Sequence, residues 1–162
     1  MSKPITAVTP EKFYEVASTC ICFNLRRGAR AVTQYYDNLF QAHGIRATQF
    51  TVLSALVIAE AQRNLPTITF MAEALVMDRT TLARNLKPLE RDELVVIEPG
   101  DDRRTRIIRL TDQGRQKLAD IIDLWDQGQA HFQTQLGGNQ FQMLLNHVNA
   151  AVEASQEDSE GE

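Results

Sequence analysis

The chain has 162 residues, enough for one domain with a substantial buried core. Hydrophobic residues make up 43% and charged residues 23% of it, and its 8 glycines and 5 prolines are too few for a collagenous or wholly disordered chain. The net charge of −4 argues, taken alone, against a protein that binds nucleic acid.

The first 44 residues predict one long helix. Thr9 and Pro10 are a typical helix start, and His43 with Gly44 is a typical stop. Between them, apolar residues recur at helical spacing in two stripes, which implies that this helix is buried on two sides.

Three shorter helices and a hairpin follow. Apolar spacing predicts a second helix that ends before Pro66, a short third over about residues 69–76 and a fourth that starts at Asp78. The spacing then becomes that of strands, over residues 94–97 and 105–110, around a turn-rich tip. Three helices closed by a hairpin form a winged helix-turn-helix, so we expect a mainly α fold with a small β-hairpin wing.

Two more helices complete the chain. Thr111 caps a long helix with one apolar face, Gly137 and Gly138 break it, and a last helix carries apolar residues as far as Val152. The segment after that is acidic. The helices on both sides of the winged unit are too apolar to stand alone.

The sequence shows no secretory or membrane signal. Its first residues contain no long apolar run, and no uncharged apolar stretch reaches the roughly 18 residues of a membrane span. Two cysteines are too few for a disulfide framework. We therefore expect a cytoplasmic protein without membrane association.

The fourth helix is the strongest candidate for recognition of double-stranded DNA. Arginine and asparagine read guanine and adenine edges, while threonine and lysine suit phosphates or thymine methyl groups. A charged face turned to solvent is the alternative, and spacing alone does not decide between the two. The polar side chains of its first turns are Arg79, Thr80, Thr81, Arg84, Asn85 and Lys87.

The hairpin favours the DNA interpretation. Its second half carries four arginines with no acid among them, Arg103, Arg104, Arg106 and Arg109. An arginine on a projecting hairpin can enter a narrow minor groove, where the potential is most negative.

Residues 102–114 resemble the wing signature of the MarR family of transcriptional regulators. That signature reads Asp-x-Arg, three residues, an aliphatic residue, x, and Leu-Thr-x-x-Gly. The matching positions are Asp102, Arg104, Ile108, Leu110, Thr111 and Gly114. Two positions depart from the family pattern: Glu93 stands where a glycine usually follows the recognition helix, and Arg46 stands where a threonine commonly caps the second helix.

The resemblance implies a homodimer, with Arg104 at the wing tip and Asp102 bracing the wing. Two-fold symmetry requires a pseudo-palindromic operator with half-sites about 10 bp apart. We expect an N-terminal dimerisation helix (1–44), a DNA-binding lobe (45–110), C-terminal dimerisation helices (111–155) and an acidic, disordered tail (156–162). Lys87 and Arg103 would bind phosphate, and Arg104 and Arg106 would serve the wing.

The family also suggests how binding is regulated. Many members bind small aromatic acids between the dimer lobe and the DNA lobe, and some are thiol sensors, so we expect a repressor released by a small aromatic effector or an oxidant. Cys20 and Cys22 are the candidates for redox sensing. If both lie on one helix, their thiols point about 200° apart, which disfavours a mutual disulfide or a shared metal. The alternative for both is ordinary packing as small hydrophobes.

The residues give no support for catalysis. No phosphate-binding glycine loop, nucleophile elbow or metal-ligand spacing is present, so we expect no enzyme activity, no cofactor and no metal site. A winged-helix module that binds protein instead of DNA is the alternative function. Charge is unevenly distributed: residues 45–115 hold 11 basic and 10 acidic side chains, while the rest of the chain holds 6 and 11. The net negative charge thus belongs to the outer helices and tail.

Overall fold

Seven α-helices and one antiparallel hairpin make up the described residues, 9–100, 102 and 105–157 of this computed structural model. The helices are α1 (Pro10–Thr19), α2 (Ile21–Phe40), α3 (Ala47–Ala61), α4 (Ile68–Ala74), α5 (Arg79–Arg91), α6 (Asp112–Leu136) and α7 (Gly138–Glu157). The strands are β1 (Val95–Pro99) and β2 (Arg106–Leu110), and a 3-10 turn (Gln41–His43) follows α2. This order confirms the predicted winged helix-turn-helix with helices on both sides. No helix in the described ranges is long and apolar enough to cross a membrane.

The prediction of one helix over the first 44 residues is wrong, because the chain leaves the helical conformation at Cys20. The backbone there is extended, with φ −70° and ψ 114°. Side chains bind the carbonyl groups before the break: Thr19 Oγ1 donates to Glu15 O at 2.8 Å, and Asn24 Nδ2 donates to Ala17 O at 3.1 Å. Such bonds compete with backbone hydrogen bonds and bend or end helices.

The C-terminal boundary also differs from the prediction. Helix α7 continues through Glu157, which is two residues into the segment expected to be a disordered tail. Residues 158–162 lie outside the described part of the chain. The predicted break between the last two helices is confirmed, because Gly137 adopts a φ of 80° that favours glycine.

One apolar core holds the winged helix-turn-helix lobe together. Leu82, Leu86 and Leu89 lie on one face of α5 and are fully buried in this core. The other large, fully buried side chains of the lobe are Val52, Leu53 and Leu56 of α3, Met71 of α4 and Ile108 of β2. Because one face of α5 is used for packing, the polar side chains of its other faces point away from the core.

The hairpin is tied to the segment that precedes α4. β1 and β2 pair antiparallel, with Val95 opposite Leu110 and Pro99 opposite Arg106. Thr67 forms an isolated bridge with Ile107, and the backbone N–H of Ile108 donates to Pro66 O at 2.9 Å. The wing therefore has a third, very short partner strand that the sequence did not reveal.

The end of α5 is fastened to the start of α6. Glu93 adopts the left-handed conformation expected at the position where the family pattern has glycine, with φ 56°. Thr111 Oγ1 donates to Glu93 O at 2.7 Å and accepts the N–H of Gly114 at 3.0 Å, which confirms the predicted cap of the long helix. Gly114 lies against Leu94 so closely that a Cβ there would overlap the carbonyl oxygen of Leu94.

Polar contacts join the outer helices to the winged lobe. Asp37 of α2 accepts the N–H of Ala47 at 2.7 Å and is 3.3 Å from the Arg46 guanidinium. The carboxylate of another helix thus supplies the cap that a threonine at position 46 would provide. On the other side, Arg115 of α6 forms an ion pair with Glu60 of α3 at 2.7 Å.

The apolar and acidic residues of α6 lie on different faces of the helix. Ile121 is fully buried, whereas Asp120, Asp123 and Asp126 are exposed. These carboxylates therefore form a solvated face, as the sequence predicts.

Replacing Gly114 with alanine is expected to lower the free energy of unfolding by about 1–3 kcal/mol, the usual cost of overpacking. The Leu94 carbonyl cannot move away without disturbing its hydrogen bonds with Thr111. Chemical denaturation followed by circular dichroism measures the change. Gly28→Ala is the control, because nothing in the protomer lies within 4 Å of the added Cβ. It should leave stability unchanged or raise it by up to about 1 kcal/mol, and equal destabilisation by both changes would contradict the prediction.

Candidate nucleic-acid interface

Helix α5 begins at a well-formed cap. Asp78 Oδ1 accepts the backbone N–H of Thr81 at 2.8 Å, and Asp78 Oδ2 accepts the Thr81 hydroxyl at 2.6 Å. The hydroxyl bond, followed by the backbone bond, holds the pKa of Asp78 below its ordinary value. The cap confirms the predicted start of the helix and fixes the direction of its first turn, which carries Arg79 and Thr80.

The six side chains predicted to face DNA on α5 fall into two groups. Thr81 is half-buried and gives its hydroxyl to Asp78. Asn85 is also half-buried, with its amide nitrogen 3.9 Å from the sulfur of Met77. These two residues therefore turn towards the protein. The other four are exposed to solvent, namely Arg79, Thr80, Arg84 and Lys87.

The cations of the lobe differ in whether a carboxylate neutralises them. Arg91 is 2.8 Å from Asp92, and Arg109 is 2.9 Å from Glu98, so these two arginines have intramolecular partners. Within the described residues, no ion pair is formed by Arg79, Arg84, Lys87 or Arg106. The unneutralised cations lie on the exposed faces of α5 and at the start of β2, where an anionic ligand can reach them.

The wing tip is described only in part. Arg103 and Arg104 lie outside the described residues. Asp102 is exposed at a bend, and its backbone carbonyl accepts the N–H of Thr105 at 2.8 Å. Its bracing role and the roles of the two arginines remain predictions.

Arg79 and Arg106, which sequence analysis assigned to separate elements, line one cleft. Thr69 and Thr105 contribute to the same cleft, and neither was predicted as a site residue. Their hydroxyl side chains were visible in the sequence. What placed them beside the arginines is the pairing of Thr67 with Ile107, and local spacing does not predict such a long-range pairing.

The two cysteines lie at the junction between α1 and α2. Cys20 is half-buried at the extended break itself, and Cys22 is exposed in the first turn of α2. The separation of about 200° expected for the two thiols applies only to a continuous helix. Because the helix is broken at Cys20, that separation does not count against a disulfide bond between them. Among the described residues, no group of three histidine, cysteine, aspartate or glutamate side chains could hold a metal ion.

Solved structures show which family has this architecture. No protein-family model matches the chain, and no curated protein matches it by sequence. The transcriptional regulator MosR of M. tuberculosis, solved in complex with DNA, is 32% identical, with a TM-score of 0.72 over 85% of this chain and 98% of that one. The chain belongs to the MarR family. It is thus similar to a transcriptional regulator solved in complex with DNA, in line with the family resemblance of residues 102–114.

Other MarR-family structures share the fold at lower identity. MepR of S. aureus, solved as a DNA complex, is 20% identical, with a TM-score of 0.71 over 85% of this chain and 99% of that one. CouR from Rhodococcus jostii RHA1, bound to p-coumaroyl-CoA, is also 20% identical, with a TM-score of 0.63 over 85% and 91% of the two chains. The winged helix-turn-helix of this MarR-family protein is therefore well supported.

The cap on α5 should make stability depend on pH under acid conditions. Because the pKa of Asp78 is lower in the folded chain than its ordinary value of 3.8, the stabilisation is complete above that value and is lost as the pH falls through the folded value. Asp78→Asn keeps a capping acceptor that does not titrate. Melting temperatures followed by circular dichroism should therefore show wild type losing stability relative to this variant below about pH 4. A constant difference between the two from about pH 3 to 7 would contradict the prediction.

Proposed function

We propose that this protein is a homodimeric repressor that binds a pseudo-palindromic DNA operator and releases it in response to a small aromatic effector or an oxidant. One observation carries the proposal: exposed cations without carboxylate partners lie on α5 and at the start of β2. The same fold, at 32% identity, belongs to a regulator that was solved on DNA. The acidic total charge does not oppose binding, because residues 45–115 carry a small net positive charge and the net negative charge lies in the rest of the chain.

In the proposed complex, the first turns of α5 enter a major groove and the wing enters the neighbouring minor groove. Exposed residues such as Arg84 and Thr80 reach base edges or the backbone beside them. Thr81 and Asn85 act differently, since their contacts with Asp78 and Met77 hold the helix in position. Lys87 and Arg103 bind phosphate, Arg104 and Arg106 serve the wing, and Asp102 braces it.

A second copy of the chain is the proposed partner of the outer helices. No residue of α1 is buried, and its large apolar side chains Phe13 and Tyr14 expose 61% and 75% of their surface to solvent. A ten-residue helix with no buried face is not stable by itself in water. The other exposed large apolar side chains of the outer helices are Val16, Ile21, Phe23, Leu25, Val32, Ile122, Leu136, Met143, Leu144 and Leu145. A dimer with two-fold symmetry would cover them and place two winged lobes on one duplex.

A cavity between α2, α3 and α6 is the proposed effector site. It has a volume of about 240 Å³, and Phe40, Phe50 and Trp125 are among its lining residues. Gln129 Nε2 donates to the Tyr36 hydroxyl at 3.0 Å beside it, which gives an otherwise aromatic site a polar group. The cavity lies where the outer helices meet the winged lobe, so a bound aromatic molecule would alter the angle between them. CouR, which shares this fold, was solved with p-coumaroyl-CoA, a ligand whose acyl group is aromatic.

The junction between α1 and α2 is the proposed site of oxidation. A peroxide would convert one thiol to a sulfenic acid and release water, and the second thiol would then displace a second water to form a disulfide. Cys20 has extended backbone angles and Cys22 is exposed, so the junction can adjust to such a bond more readily than a continuous helix could. A change there would be transmitted along α2 towards Asp37 and α3.

DNA binding is tested with a duplex that the wild-type protein selects from a random library. We expect a pseudo-palindrome, a steep loss of affinity between about 50 and 200 mM salt, and a dimer by analytical ultracentrifugation. Arg104→Ala should weaken binding by about 1–3 kcal/mol while the dimer and the melting temperature stay unchanged. Arg109→Ala, which removes an arginine held by Glu98, is the matched control. If no duplex is selected and binding shows no salt dependence, the protein is an interaction module and not a DNA-binding repressor.

The oxidant response is tested by titrating the wild-type complex with hydrogen peroxide. We expect DNA affinity to fall, and both Cys20→Ser and Cys22→Ser to remove the effect while affinity under reducing conditions is retained. Mass spectrometry of the oxidised protein distinguishes a disulfide from a sulfenic acid. Peroxide-insensitive binding by the wild type would show that the thiols pack as small hydrophobes and that only the small-molecule response remains.

A further inference from the structure

A cleft of about 340 Å³ lies between the start of α4, the start of α5 and the start of β2. It is lined by Thr67, Ile68, Thr69, Arg79, Thr105 and Arg106. These residues come from three elements that are separated along the chain, so the cleft is a product of the tertiary fold.

The three walls of the cleft are held in fixed positions. The pairing of Thr67 with Ile107 and the hydrogen bond from Ile108 N to Pro66 O join the first wall to β2. Thr67 Oγ1 also accepts the N–H of Phe70 at 3.1 Å and so caps α4. The carboxylate of Asp78 caps α5 and thereby fixes Arg79, its first helical residue. A ligand would therefore meet a cleft that is already formed.

The chemistry of the cleft favours an oxyanion. Two arginines are among its six lining residues, none of the six is acidic, and neither arginine has an ion-pair partner among the described residues. Guanidinium groups match the geometry of phosphate oxygens, and the hydroxyls of Thr69 and Thr105 are further hydrogen-bond donors. Arg79 and Arg106 are both exposed, so the anion can enter from solvent.

The position of the cleft indicates which anion binds. It lies between the helix proposed to enter a major groove and the wing proposed to enter the adjacent minor groove. Any duplex held in this way has one sugar-phosphate backbone running between the two grooves, and therefore between the helix and the wing. A phosphate of that backbone passes the mouth of the cleft.

We propose that this cleft binds one backbone phosphodiester of the operator, held from the helix side by Arg79 and from the wing side by Arg106, with Thr69 as a hydroxyl donor. The inference rests on the proposed DNA-binding function. It assigns Arg79 to the backbone and not to base reading, and it identifies Thr69 as a DNA-contacting residue.

The first test compares the affinity of variants for the selected operator and for an unrelated duplex over a range of salt concentrations. Arg79→Gln and Arg106→Gln should each weaken binding to both duplexes by the same factor, roughly tenfold, and lower the salt slope by about 1. Thr69→Val should weaken both without changing the slope, because it removes no charge. Arg91→Gln and Arg109→Gln are the matched controls, since each removes one arginine that already has a carboxylate partner.

The second test locates the phosphate. Operators that carry one neutral methylphosphonate at successive positions should include one position that weakens wild-type binding but causes no further loss with Arg79→Gln or Arg106→Gln. Such non-additivity at a single shared position identifies the contact. Additive losses at every position would overturn the proposed phosphate contact while leaving the DNA-binding function intact. An altered base preference with an unchanged salt slope in Arg79→Gln would do the same. A wild-type protein that binds no duplex would overturn both, and unchanged melting temperatures of the variants exclude unfolding as the cause.

Discussion

The approach of Gly114 to the backbone of Leu94 holds the winged lobe of this molecule against its long helices. Leu94 directly precedes β1 and lies three residues after the end of α5. Thr111 binds the carbonyl groups of Glu93 and Leu94, and Gln113 Nε2 donates to Asp92 O at 3.1 Å. The start of α6 thus binds three successive carbonyl groups of the turn that follows α5. A side chain at position 114 would separate the two helices and release all of these bonds together.

The same region of α6 also contacts α3 and the turn that follows α2. Arg115, the next residue, pairs with Glu60 of α3, and Lys117 Nζ donates to His43 O at 3.2 Å. At the other end of α3, Asp37 of α2 accepts the N–H of Ala47 and so caps the helix. Helix α3, the first helix of the winged lobe, therefore makes polar contacts with both long outer helices, α2 and α6. Because α3 and α5 share one apolar core, a shift of either outer helix would act on α3 and, through that core, on α5.

Much of the fold could be predicted because apolar spacing reports burial directly. Leu82, Leu86 and Leu89 revealed the buried face of α5, and the change to strand spacing revealed the hairpin. The break at Cys20 could not be seen in this way, since it depends on side chains such as Thr19 and Asn24 binding carbonyl groups within an otherwise helical pattern. The same limit applies to the site. Spacing identified Arg79 and Arg106 as candidates, but their convergence depends on a pairing between residues 40 positions apart, Thr67 and Ile107.

The exposed carboxylates of α6 have a consequence for how the protein approaches its target. With Asp120, Asp123 and Asp126 on the long helix and the unpaired arginines on the winged lobe, the chain carries an electrostatic dipole. Near a polyanion, such a dipole exerts a torque that turns the basic end inward before contact, and repulsion at the acidic end penalises the reverse orientation.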